Sequence, residues 1–354
     1  MSTSTLKRYD NALVFGKFLP MHKGHASLIN FAHTQAHMVH VVVLAHDGEH
    51  IPMETRMEFI REEYKTIPNV HVYGINYNPK ELNSSSESDW ESSVAWSDFL
   101  SPFILKHEID VLIGSEQYIN YMGEYLHLNH VIYDEQRTNI HISATQIKDD
   151  LITNWDYLVP SVKRYYAHHI CICGSESVGK TTVCTDVEKC CPGIVTMIPE
   201  IGRCLVGNAK TCDSRKLQQV MSIHKALLDE AIYDPPTPII LWDTDNYTTL
   251  SYHKFLFGDT LPTSQYRDLP KAKKYFFFES NIPYIKDATR MEMSDSNALR
   301  DHHLSVYSEN GIEVEKVTEN RSEKVLGYVK DMLSRMIKQI RELHPPKGGC
   351  FLIQ

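Results

Sequence analysis

The first 170 residues of this sequence contain no cysteine. All eight lie from Cys171 onward, and no two are spaced C-x-x-C. That pattern fits neither a disulfide framework nor a zinc site. Cys171 and Cys173 fall on a hydrophobic run and are expected to be reduced core residues of a cytoplasmic protein. No run of about 18 apolar residues occurs, so no membrane span is expected. The opening Met1-Ser-Thr-Ser-Thr-Leu-Lys-Arg has no apolar stretch of the kind a secretion signal needs. There is also no long basic run, and the net charge is −9, which disfavours non-specific nucleic-acid binding. No Gly/Ser-rich linker separates the halves.

What is present is enough chain for two domains, 354 residues. Near the middle stands Gly174-Ser175-Glu176-Ser177-Val178-Gly179-Lys180-Thr181, which fits the phosphate-cradling G-x-x-x-x-G-K-[ST]. A hydrophobic strand, residues 169–173, precedes it. A helical run from Thr182 to Cys190 follows. Glycines let the backbone approach phosphate closely, and several N–H groups then converge on one anion at a helix N-terminus. Lys180 is expected to reach the β- and γ-phosphates of ATP, and Thr181 to hold Mg²⁺.

The preceding half must then be a separate unit. Residues 12–15 form a short buried strand that leads into Gly16-Lys17-Phe18-Leu19-Pro20-Met21-His22-Lys23-Gly24-His25. An amphipathic helix follows over residues 26–37, then a second buried strand over 40–45. This is a βαβ unit and implies a parallel sheet. Further strands are expected at 70–73, 111–114 and 130–133. An open doubly wound sheet binds ligands at the carboxyl ends of its strands, where Asp47, Gly114 and Ser115 fall. His22 and His25, three apart at a helix start, can present imidazole N–H groups to one phosphate. Later, Ser143 or Thr145 can cap another helix, with Lys148 facing the same anion.

In the second half, residues 194–198 form a strand that ends before Glu200, with Arg203 in the next turn. A helix covers 218–233. Residues 238–242 form a buried strand that runs into Asp243-Thr244-Asp245, where a P-loop fold keeps its acid. One of these carboxylates can hold Mg²⁺ and the other orient or deprotonate the attacking hydroxyl; the sequence leaves open which does which. Two more strands, 274–279 and 312–317, and a long terminal helix, 323–343, complete the pattern. Asp287 and Arg290 lie in a region where kinases carry a lid, and Arg300 is a weaker candidate of the same kind. Trp155, Tyr157 and the helix-breaking Pro160 suggest a packed joint between the halves, and 78–93 reads as a Ser- and Glu-rich loop.

Taken together, Gly16–His25 and Ile142-Ser-Ala-Thr-Gln-Ile-Lys148 resemble the nucleotidylyltransferase superfamily. Chain order sharpens the likeness: Asn154-Trp-Asp-Tyr-Leu-Val-Pro160, the P-loop, Pro199-Glu-Ile-Gly-Arg203 and Trp242-Asp-Thr-Asp-Asn-Tyr-Thr-Thr249 follow in turn. The whole resembles the NadR-type bifunctional proteins, in which a nicotinamide-mononucleotide adenylyltransferase is fused to a ribosylnicotinamide kinase. The resemblance implies two α/β domains with parallel sheets: a Rossmann-like nucleotidylyltransferase domain over 1–160 and a P-loop kinase domain over 168–345, followed by a tail, 346–354. It implies a cytoplasmic enzyme that phosphorylates ribosylnicotinamide and adenylylates the product to NAD. ATP is the co-substrate at both sites and Mg²⁺ the metal, held in the kinase site by Thr181 and Asp243. Catalysis falls to Lys17, His22, His25 and Lys148 in one site, and to Lys180, Asp243 and Asp245 in the other.

The resemblance further implies that Gly16, Phe18, Gly24, Ser143, Thr145, the P-loop residues with Thr182, and Arg290 contact ATP. Asp47, Trp96, Gly114, Ser115, Glu200, Arg203 and Asp287 contact the second substrate. The family's motif S-x-T-x-x-R ends here in Lys148, and its second small residue is Ala144. Nothing before Tyr9 corresponds to the helix-turn-helix of longer relatives, so a repressor role is not implied. The partners implied are small molecules, with a homo-oligomer left open, and neither nucleic acid nor membrane. Two other readings stay open: a nucleotidylyltransferase joined to a kinase for another small molecule, which a substrate panel separates, and a nucleotide sensor with decayed catalysis, which Lys148→Arg tests.

Overall fold

The computed structural model describes residues 8–82, 89–174, 176–206, 212–258, 261, 266–279 and 293–341. The chain divides into two compact units, Met1–Val162 with Ile337–Gln354, and Lys163–Met336. Each is built on a five-stranded sheet in which every pairing is parallel.

In the first unit the elements are β1 (Tyr9–Gly16), α1 (Lys23–Gln35), β2 (Ala36–Ala45), α2 (Met53–Glu63), β3 (Val70–Asn76), α3 (Trp90–Lys106), β4 (Val111–Gly114), α4 (Tyr118–Leu126), β5 (Asn129–Ile132), α5 (Ala144–Asp149) and the start of α6 (Pro160–Tyr166). The sheet order is β3-β2-β1-β4-β5. The chain winds outward from β1 to β3, then returns to place β4 on the other side of β1. The crevice at that reversal, beyond the carboxyl ends of β1 and β4, is where such a sheet binds ligands. Helices cover both faces, so β2 reads as an unbroken buried run from Val39 to Ala45. Leu13, Val42, Leu44, Trp96, Leu100 and Leu112 pack into one core cluster, and each such side chain stabilises the fold by about 1.5–3 kcal/mol.

The second unit contains β6 (His168–Gly174), α7 (Lys180–Cys190), β7 (Val195–Ile198), α8 (Gly202–Val206), α9 (Ser214–Tyr233), β8 (Ile239–Asp243), α10 (Asn246–Phe257), β9 (Lys274–Phe278), α11 (Met293–Glu309), β10 (Glu315–Val317) and α12 (Arg321–Arg341). Its order is β10-β9-β6-β8-β7. Side chains alternate across a strand. Ile170 and Ile172 accordingly join a cluster with Phe276, Phe278 and Val329, whereas Cys171 and Cys173 join another with Trp242, Tyr275 and Phe277. Both cysteines are fully buried and free.

Several boundaries differ from expectation. Helix α1 starts at Lys23, three residues early, because His22 caps it. The expected loop over 78–93 is shorter: Asp89 accepts the Ser92 amide and starts α3 at Trp90. Pro160 opens a helix instead of breaking one; at the first helical position its missing N–H costs nothing. Among the described residues no helix is long and apolar enough to cross a membrane.

Candidate active sites

The first site grows from the carboxyl end of β1. After Gly16 the chain turns through Phe18, at φ +48, and His22 caps α1. The His22 Nδ1 accepts the amides of Gly24 (3.1 Å) and His25 (3.4 Å), and the His25 Nδ1 accepts the amide of His22 (3.3 Å). Both Nδ1 atoms are therefore acceptors, which leaves the proton of each neutral ring on Nε2. The rings stack at 3.7 Å. Burial, with the Arg137 charge nearby, pushes His25 down to about 3 and lowers His22 well below the usual range, where the His25 charge adds to it. At neutral pH the pair is uncharged and carries two Nε2–H donors. Gly24 is required for this arrangement: a Cβ there would stand 2.9 Å from the His22 ring.

These histidines line a cavity of about 350 Å³ together with Gly16, Lys17, Phe18 and Gly24. Ser115, from the end of β4, and Ser143, Thr145 and Lys148, around α5, line it too. Ser143 caps α5 through the Gln146 amide, 3.2 Å. Lys148 lies late in this short helix, not in its first turn, and is pushed down to about 8 by burial beside Lys17, with Arg56 adding to the shift and Glu49 opposing it. The cations are organised by an anion that sequence reasoning missed. Glu49 pairs with Arg56 at 2.6 Å and Lys17 at 3.5 Å. Arg56 is fully buried and donates to the carbonyls of Lys17 (2.8 Å) and Leu44 (3.3 Å). Neither residue falls in a recognisable motif; only the folded chain brings α2 under the Lys17 turn.

Three residues expected to contact substrate do not line this cavity. Trp96 is buried in the core, edge-on to Tyr77 at 5.0 Å and to Phe99 at 5.7 Å, and does not line the cavity. Tyr77 stands between, with the Lys17 ammonium 5.6 Å from its ring. Asp47 is exposed beyond β2. Gly114 closes β4 where a Cβ would meet Ile119 at 2.5 Å, a packing requirement.

The second site is a strand–loop–helix. Gly174 has φ +128, and a Cβ on it would lie 2.2 Å from the Phe278 carbonyl oxygen on β9; only glycine fits. Ser177 (φ +64) and Gly179 (φ +84) are also left-handed. Alternating handedness turns successive N–H groups inward as an anion nest ahead of α7. The buried Lys180 donates to the Gly174 carbonyl, 3.1 Å, across the mouth of the loop. The Thr181 hydroxyl donates to Asp243 Oδ2 at 2.6 Å, so β8 sets its acid directly against the P-loop helix. Glu176 accepts from the Tyr252 hydroxyl, 3.0 Å.

The carboxylates of Asp243, which ends β8, and Asp245 have different partners, and Thr244 between them sits at φ +69, a strained position for a β-branched residue. Asp245 caps α10: its Oδ1 accepts the amide and hydroxyl of Thr248, 2.9 and 3.0 Å, and the Tyr307 hydroxyl, 2.8 Å. Burial raises its pKa. This is a helix N-cap, and it is wholly enclosed. Thr182, Ser177 and Gly179 line a groove with Thr318 to Ser322, from the loop after β10 and the start of α12; the sequence carried no signal for that wall. Glu200 lies two residues past β7 and is half-buried. Arg300 pairs with its neighbour Asp301, 2.8 Å, at the surface. Ser175, Asp287, Arg290 and the Arg203 side chain fall outside the described residues.

Two family models match. Residues 169–324 fit the AAA domain, and residues 12–77 fit the citrate lyase ligase C-terminal domain. The trifunctional NAD biosynthesis/regulator protein NadR of Escherichia coli (strain K12) is 26% identical over 334 residues, which are 87% of this chain and 78% of the relative. Its counterpart from Salmonella typhimurium is 25% identical over the same shares. Two crystal structures share the fold. A NadR protein in complex with NR superposes at TM-score 0.53 with 18% identity, covering 93% of this chain and 98% of the other. A NadR protein in complex with NAD and AMP-PNP superposes at 0.54 with 19% identity, covering 92% and 97%. Along most of its sequence, and across both of its parallel-sheet units, this chain is similar to the NadR proteins.

Proposed function

We propose that the chain is a bifunctional enzyme of NAD salvage, cytoplasmic, with two ATP sites that act in series. One observation carries the reading: a paired-imidazole phosphate cavity and a P-loop with its strand acid stand in one chain, in the order found in the NadR proteins it resembles.

In the P-loop unit the 5′-hydroxyl of ribosylnicotinamide attacks the γ-phosphate of ATP, and ADP leaves. The loop amides and Lys180 take up the phosphate charge. The Thr181 hydroxyl and the Asp243 carboxylate are hard oxygen donors held 2.6 Å apart, and they fit Mg²⁺, which needs only one or two protein ligands beside substrate phosphates and water. Bound there, Mg²⁺ would neutralise charge on the β- and γ-phosphates. Asp245 acts by fixing α10. The groove between α7 and the loop after β10 suits the nucleoside end of ATP.

In the N-terminal unit the phosphate of nicotinamide mononucleotide attacks the α-phosphate of a second ATP. A bond forms from that phosphate oxygen to Pα, and the Pα–O bond to the β-phosphate breaks. NAD and pyrophosphate are the products. His22 and His25 donate through Nε2–H to the gathering charge, and Lys17 and Lys148 neutralise it; positioning and charge stabilisation suffice, with no covalent intermediate.

Product analysis with ATP, Mg²⁺ and either ribosylnicotinamide or nicotinamide mononucleotide tests this. NAD from both substrates is expected. NAD from the mononucleotide alone would remove the kinase assignment. Mononucleotide accumulating without NAD would leave the first unit as a binding domain.

A further inference from the structure

We propose that Arg137, on the loop after β5, is the fork-shaped triphosphate-binding cation of the N-terminal site, doing there what lysine at position 148 cannot. The proposal deepens the adenylyl-transfer reading and rests on it. Arg137 lines the same cavity as His22, His25 and Lys148. Its charge reaches both imidazoles, which places it beside the pair that meets the phosphate.

The loop that carries it is built, not slack. Asp134, at φ +52, gathers the Thr138 amide (2.7 Å), the Thr138 hydroxyl (2.9 Å) and the Asn139 amide (3.2 Å) on one carboxylate oxygen. The Arg137 amide closes the turn on the Asp134 carbonyl, 2.8 Å. Just before the loop, Tyr133 shares a 2.7 Å hydrogen bond with Ser27 and stacks on Phe31 at 4.5 Å. Both partners belong to α1, the helix whose first turn carries the histidines. The strap therefore registers Arg137 against the imidazoles. The guanidinium faces Glu116 across 3.6 Å, longer than a hydrogen bond, so its donors remain available to an anion.

The chemistry favours an arginine here. Lys148 is a point charge that is half lost near pH 8. A guanidinium stays charged and can hold two phosphate oxygens at once. When the Pα–O bond breaks, the electron pair leaves with pyrophosphate. A bidentate cation opposite that oxygen stabilises the departing charge, and Arg137 is in the cavity to do so.

The test is a double-mutant cycle on the full chain, with adenylyl transfer from ATP to nicotinamide mononucleotide as the readout. Arg137→Ala should lower kcat/KM by about 10²-fold, and Arg137→Lys should recover little of it. Lys148→Arg should restore tenfold or more to Arg137→Ala, a larger factor than the one by which it changes the parent. Equal effects of Lys148→Arg in both backgrounds, or full activity in Arg137→Lys, would overturn the proposal. A second readout stands apart from turnover: calorimetric binding of inorganic pyrophosphate to protein whose P-loop is blocked by Lys180→Ala. Arg137→Ala should weaken that binding tenfold or more. If adenylyl transfer is absent from the parent, the functional reading fails, but this binding loss still decides the role of Arg137; unchanged affinity would dismiss it.

Discussion

The P-loop of the second unit meets phosphate with main-chain amides, held by three left-handed residues and one wall of backbone at Phe278. The cavity of the first unit presents side chains instead: two imidazoles kept neutral by burial, a lysine near its titration point, and an arginine on a strapped loop. A backbone nest has no protons to lose and tolerates no Cβ. A side-chain cradle can be retuned residue by residue, but its charge depends on pH and on the residues behind it. The two sites should therefore fail in different ways when disturbed.

The largest difference is expected from one deletion in each. Lys180→Ala should lower phosphorylation of ribosylnicotinamide by about 10³-fold, and His25→Ala should lower adenylyl transfer by about 10²–10³-fold. Each should leave the other activity within a few-fold of the parent, as separate assays with the two substrates will record. Loss of both activities in either folded variant would end the two-site description.

The glycines sharpen the contrast. Gly174→Ala forces a Cβ to within 2.2 Å of a carbonyl oxygen at φ +128. The obstacle is backbone of the central sheet, so the cost should fall on folding: about 3–5 kcal/mol, read as a lower denaturant midpoint. Gly24→Ala meets only the His22 ring, 2.9 Å away. A ring can swing, so stability should drop by about 1 kcal/mol or less, while the misplaced imidazole lowers adenylyl transfer by roughly 10²-fold. Equal destabilisation by both would remove the distinction between backbone and side-chain cradles.

Asp243 and Asp245 separate next. Asp243→Asn should lower kinase activity by about 10²-fold, because Asp243 faces Thr181 where the metal would bind. Asp245→Asn keeps a side-chain oxygen for Thr248 and Tyr307, and asparagine caps helices as well as aspartate. It should cost less than tenfold in rate, with little change in melting temperature. A loss near 10³-fold at unchanged stability would make Asp245 the base after all.

Local pattern made the frame legible. Buried runs marked the strands, and glycine turns before helices marked both phosphate loops, because those features are set within a few residues. What sequence could not reach depends on chain crossings. Glu49 and Arg56 matter only because α2 packs beneath the Lys17 turn, and Arg137 only because Tyr133 fastens its loop to α1. Trp96 sat at a plausible distance from the substrate loop, yet helix α3 turns it into the core behind Tyr77. Asp245 and Asp243 looked alike in sequence; in the fold they have different partners, with the left-handed Thr244 between them.

The smallest expected effect is a difference in pH response. Lys148 is depressed to about 8, chiefly by burial and then by Lys17. Its charge is present below that value and is lost as pH rises through it. In the ATP-free enzyme the cavity thus loses one cation between about pH 7 and 9, and kcat/KM for ATP in adenylyl transfer should fall several-fold over that span. Lys148→Arg should flatten this alkaline limb, since a guanidinium does not titrate there. A limb that persists unchanged in the arginine variant would trace to another group and leave Lys148 a bystander to the triphosphate. A kinase limb at the same pH that vanished with the same substitution would mean that the two cradles are not independent.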